Sequence, residues 1–70
     1  MYQMYKIVYY FSSGDTLVFT GDRNSLNRQS EEWISRKKSG QANVIQLFPN
    51  GCSVAYDVSM AYRAEVSLAE

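Results

Sequence analysis

The chain has 70 residues, with seven Lys/Arg balancing seven Asp/Glu, no His and one Cys; it is one domain over residues 1–70, without the excess positive charge that duplex nucleic-acid binding requires. Cys52 alone excludes an intrachain disulfide, and without His it cannot complete a tetrahedral zinc site with scattered carboxylates, so no metal and no cofactor is expected. A domain near this size buries only about 60% of its unfolded-chain surface, and with disulfides and metals set aside a partner subunit is the remaining way to enlarge the core.

Residues 2–11 read as a strand with two apolar faces. Tyr5, Ile7, Tyr9 and Phe11 lie on one face, and Met4, Val8 and Tyr10 lie beside Lys6 on the other. Gly14 and Asp15 supply turn chemistry, and residues 16–20 form a β-branched and aromatic second strand of an antiparallel hairpin. Leu17 and Phe19 share its core face. Gly21 breaks the strand, and Asp22 is a plausible N-cap for a helix running to Ser39, with Asn24 or Ser25 as alternative caps. Its inward stripe is Leu26, Gln29, Ser30, Trp33, Ile34 and Lys37. Only three of these are strongly apolar, so Trp33 and Ile34 are expected to do most of the docking. Glu32 and Arg36 stand four apart in the favourable order. Arg36, Lys37 and Lys38 complement the helix dipole at its end, and Gly40 is a natural left-handed terminator.

Residues 43–48 make a third strand, followed by the strongest turn signal in the chain, Pro49, Asn50 and Gly51. Residues 52–57 continue as a strand with Cys52, Val54 and Tyr56 on one face. After a bend, Met60, Tyr62, Ala64 and Val66 alternate with Ala61, Arg63 and Glu65. This period of two favours a fifth strand at 60–67, although residues 61–70 also tolerate a helix. The expected fold class is α+β, a single antiparallel or mixed sheet in the order β-β-α-β-β-β with one helix packed across one face. That layout resembles small orphan proteins of phages and prophages of Gram-positive bacteria. Their pattern is a hairpin, a helix ending in a Trp-containing turn, then strand, Asn/Asp-Gly, strand, bend and a Tyr-bearing strand. The matching segments here are residues 6–19, 30–38 and 44–66. The resemblance is one of layout and carries no catalytic residue; it implies an accessory protein acting on a host factor.

The inventory for chemistry is thin. Without His the commonest general acid or base is missing, and Cys52 has no evident cationic neighbour to make it a nucleophile. It reads as a semi-buried structural Cys beside Gly51. Asp57 and Arg63 read as an ordinary cross-strand ion pair. No enzyme activity is expected. The longest apolar runs are far too short to span a membrane, and the N-terminus does not read as a secretory signal, so a soluble cytoplasmic protein is expected.

Six tyrosines in 70 residues invite an interface reading, because Tyr offers contact area at low entropic cost. Tyr9 or Phe11 should be core, and Tyr2, Tyr5 or Tyr10 outward. Lys6 marks the even face of the first strand as the one away from the helix, placing Met4, Val8, Tyr10 and Val18 on an open apolar face. Those four are the expected interface of a homodimer or higher oligomer. The leading functional expectation is a non-enzymatic protein–protein interaction module, a homodimeric phage-type inhibitor or adaptor of a host protein. One alternative is an oligomeric binder of a small nucleotide-like ligand held between subunits by stacked Tyr and Arg23, Arg28 or Arg63, with Arg23, Arg28, Tyr62 and Arg63 the candidate ligand or partner contacts. Another is a single-stranded nucleic-acid binder stacking bases on Tyr9, Tyr10, Tyr56 and Tyr62, a reading that the neutral charge weighs against.

Overall fold

Strand alternation and one aromatic-anchored helix decide the architecture. In a computed structural model, which describes residues 3–69, the elements are β1 (Tyr5–Phe11), β2 (Thr16–Gly21), α1 (Arg23–Lys38), β3 (Val44–Leu47), β4 (Val54–Asp57) and β5 (Ala61–Leu68). A short 3-10 turn at Pro49–Gly51 joins β3 to β4. The fold is α+β in the expected β-β-α-β-β-β order. Its strands divide between two antiparallel sheets, a three-stranded one ordered β2-β1-β5 and a two-stranded β3-β4 pair, where one sheet was expected. The reason is that β5 takes the second edge of β1 and not the edge of β4, which leaves the short β3-β4 hairpin paired only with itself.

Register places the core. Ile7 stands between Phe19 and Val66, and Tyr9 between Leu17 and Ala64. All six face the helix, since opposed residues in antiparallel strands share a face. Ile7, Tyr9 and Ala61 are wholly buried. Tyr9 meets Phe19 and Trp33 edge-on at centroid distances of 6.1 and 6.0 Å, contacts worth about 0.5–1.5 kcal/mol each beyond area burial. Its hydroxyl accepts a hydrogen bond from Gln29 Nε2 at 3.0 Å, while burial raises its pKa. Tyr10 points outward as expected. Tyr5 packs against the core side instead, and Tyr2 lies outside the described residues.

The helix begins where its cap chemistry puts it. Asp22 accepts the Ser25 N–H at 2.9 Å and the Ser25 hydroxyl at 2.8 Å, so Asp22 is the N-cap and Asn24 and Ser25 are not. Gly40 follows the C-terminus at φ +75°. Leu26 and Trp33, two turns apart, are buried, but Ile34 is 41% exposed and does not dock as expected. It sits about 100° round the helix from Trp33, on a flank the sheet does not cover.

A polar clasp ties three segments together behind Trp33. The Trp33 indole N–H donates to the Val58 carbonyl at 3.0 Å, and the Asn43 side-chain amide donates to the Trp33 carbonyl at 3.0 Å. The Asn43 backbone N–H donates to Ser59 Oγ at 2.8 Å, and Val58 N–H donates to the Asn43 carbonyl at 2.9 Å. Asn43 is therefore buried with its polar groups satisfied, as burial requires. The next turn has Asn50 at φ 51° and Gly51 at φ 78°, the left-handed pair expected of Asn-Gly. Leu47 pairs with Val54, so residues 48–53 form a longer connection than a tight hairpin. Phe48 and Cys52 fall outside the strands for that reason.

Candidate functional site

The sheet face away from the helix carries Lys6, Val8 and Tyr10 from β1, Val18 from β2, and Arg63 and Glu65 from β5. Val8 is opposed by Val18 on one side and Glu65 on the other, with Lys6 and Tyr10 flanking it along the strand. Those four neighbours leave it only 7% exposed although none of the described elements covers the face. The Tyr10 hydroxyl donates to Glu65 Oε1 at 2.9 Å, and Arg63 pairs with Glu65 Oε2 at 2.8 Å while its guanidinium lies 5.1 Å from the Tyr10 ring centroid. The hydrogen bond to Glu65, then desolvation and the Glu65 charge, raise the Tyr10 pKa. Of the four expected interface residues, Val8 is buried within the protomer, Tyr10 is tied into this polar cluster, and Met4 and Val18 are exposed. Arg63 is paired with Glu65 and not with Asp57, which instead accepts the Ser59 N–H at 2.9 Å. The strand bend lets Asp57 cap its own turn, and register sets Arg63 opposite Tyr10.

The other expected contact residues do not converge. Arg23 opens the helix, and Arg28 lies in a polar depression on the helix surface with Glu31, Glu32, Ser35 and Arg36. Arg63 is on the opposite layer, and Tyr62 is 62% exposed at a β-bulge of β5. The tyrosines among the described residues are likewise dispersed. Tyr9 is core, Tyr56 stacks edge-on against Phe19 at 5.3 Å, and Tyr10 holds Glu65. Cys52 is exposed, where a semi-buried position was expected, because it follows the turn outside β4. Among the described residues, no three Cys, Asp or Glu side chains form a group that could hold a metal ion, and no helix is long and apolar enough to cross a membrane.

Exposed apolar side chains collect elsewhere. Val44, Leu47 and Phe48 stand out on the second hairpin, Phe48 at 71% exposure, and Met60 at the bend before β5 reaches 81%. Between β2 and β3 lies a groove of about 340 Å³, bordered by Phe19, Leu26, Gln29, Ile45 and Leu47. Sequence reasoning placed Phe48 and Met60 inside strands and missed them as surface features. The available signals were a Phe directly before the Pro-Asn-Gly turn and a Met directly after a bend. Compared with protein-family models, curated proteins and solved structures, the chain matches none, so its surface is read from its own residues.

Proposed function

We propose that this chain is a non-enzymatic protein–protein interaction module that self-associates as a homodimer and docks a protein partner. The layout resemblance gives the concrete form, an inhibitor or adaptor of a host protein. One observation carries the reading. Among the described residues nine large apolar side chains are exposed and only seven apolar residues are buried. Exposed apolar side chains in this excess, three of them (Val44, Leu47 and Phe48) on one short hairpin, are the mark of an interaction surface. Met, Phe and Tyr are also the residue types enriched in protein interfaces, and Phe48, Met60 and Tyr62 are the three most exposed of the nine. Neither the arginines nor the tyrosines gather into a ligand pocket or a stacking platform, so the small-ligand and single-stranded nucleic-acid readings draw no support from the geometry.

The test is retention of a protein from a lysate of the source organism on immobilised wild type and on the double variant Phe48→Asp, Met60→Asp. Both residues are outside the core, so the variant should keep the wild-type circular dichroism spectrum. Wild type should retain a defined protein, and the variant should weaken that binding by about tenfold or more, the equivalent of roughly 1.4 kcal/mol. Equal retention by both would refute docking through this surface.

A further inference from the structure

The longest strand, β5, with eight residues, is also a sheet edge: the order β2-β1-β5 leaves its outer side unpaired among the described residues. The direction of its backbone groups follows from the ladder. Phe11 donates its N–H to the Asp15 carbonyl, so the odd residues of β1 bond toward β2. Lys6, Val8 and Tyr10 then bond toward Ser67, Glu65 and Arg63, and the Ala69 N–H to Met4 carbonyl bond at 3.0 Å continues that alternation. Ala64, Val66 and Leu68 therefore aim their N–H and C=O groups outward. Such a row is a template for another strand unless Pro, Lys or a bulge blocks it. Between Arg63 and Leu68 the edge has no Pro and no Lys, and its bulge lies at the far end, by Tyr62.

We propose that two copies of this chain pair β5 to β5, antiparallel, about a twofold axis at Ala64. The two three-stranded sheets join into one six-stranded sheet with both helices on the same face. This inference rests on the self-association in the proposed function and names its surface. The register follows from charge. An axis at Arg63 or at Glu65 sets that residue against its own copy, and like charges directly opposed are destabilising. An axis at Val66 sets Glu65 against Ser67 and forms no charge pair. Only the axis at Ala64 sets Arg63 of each copy opposite Glu65 of the other, twice. The same register brings exposed Tyr62, at the bulge where regular pairing ends, toward Val66 of the second copy, and the small Ala64 side chains meet at the axis.

Charge reversal tests this directly. Analytical ultracentrifugation at micromolar concentration should give wild type twice the 8.0 kDa chain mass. Arg63→Glu alone and Glu65→Arg alone should each run as monomers with unchanged circular dichroism, because each opposes like charges across the axis. An equimolar mixture of the two variants should recover the dimer, since each then supplies what the other lacks; loss of the ion pair within one chain cannot produce that recovery. Ala64→Pro should also be monomeric and folded, as it removes an outward N–H and no ladder bond. A wild-type dimer that survives all of these substitutions would overturn the β5 pairing while sparing self-association. A wild-type monomer would overturn both.

Discussion

β1 and the β3-β4 hairpin are similarly rich in apolar residues, yet they end in opposite environments. β1 has Ile7, Val8 and Tyr9 buried in succession, whereas no residue of β3 or β4 is buried. Position in the sheet accounts for the difference. β1 has a strand on each edge, Trp33 and Leu26 over one face, and side chains of the flanking strands crowded round Val8 on the other. The hairpin pairs only with itself and leans on the body through Ile45, the Tyr56–Phe19 contact and the Asn43 clasp. An isolated two-stranded hairpin is marginal in water. The body is therefore expected to carry global stability, and the hairpin to open at lower free energy, as local elements with few buried contacts do. The apolar surface proposed to dock a partner sits largely on the weaker unit, Phe48 at its tip and Val44 at its base.

The largest effect that separates the two regions should come from Trp33→Ala. It empties the centre of the body and leaves the Val58 carbonyl with the Ala61 N–H at 3.3 Å as its one remaining donor, so a loss of about 3–5 kcal/mol is expected, enough to threaten the whole fold. Denaturant unfolding measures it; a cooperative transition near the wild-type midpoint would mean that the helix is not anchored by this residue. Asn43→Ala should be next, at about 1–3 kcal/mol for a buried clasp left partly unsatisfied. Hydrogen exchange should show β3 and β4 losing protection while β1 keeps most of its own. Uniform loss across both regions would erase the distinction between them. Gly51→Val should act on the hairpin alone, at about 1–2 kcal/mol, since Val at φ +78° is left-handed and strained. Amide shifts confined to residues 44–57 would support that, and unchanged β3-β4 shifts would contradict it.

The smallest effect is electrostatic and touches both regions. Hydrogen bonds from the Ser25 backbone N–H and then its hydroxyl hold Asp22 below the usual carboxylate range, and the Ser59 hydroxyl and N–H do the same for Asp57. A carboxyl group with a depressed folded pKa contributes stability that is fully present above its unfolded value of about 3.9 and is lost as pH falls through the folded value. Thermal midpoints should therefore be level near neutrality and decline on acidification below about pH 4. Asp22→Asn, which can still cap, should flatten part of that decline. A decline identical to wild type would remove Asp22 from the cause.

Much of the fold was legible because its signals are local. The Asp22 cap, the Gly40 terminator, the left-handed Asn50–Gly51 turn and the strand character of β5 each depend on a few neighbouring residues. The outward parity of Lys6 and Tyr10 follows from a period of two, and the Trp33 anchor from its being the one large aromatic on the helix stripe. The interaction surface was less legible. An apolar residue on an open face was expected to be free, but Val8 is enclosed by side chains from three strands, and only register decides that. Likewise Arg63 meets Tyr10 because β5 pairs with β1 at that offset, and Glu65 because alternate residues of a strand share a face, where a cross-strand reading pointed to Asp57.

From the sequence alone came the element order, the helix and its C-terminal end, the turns and the face of β1 that would be core. Each is set by backbone sterics, capping and alternation within about ten residues. Tertiary structure alone decided that the strands divide into two sheets, that the first and last strands are neighbours, and that Ile34 and Cys52 stand in solvent. Those outcomes depend on which distant edge a strand finds. Sequential strands are neighbours only about two-thirds of the time, and β5 is an exception that periodicity cannot reveal.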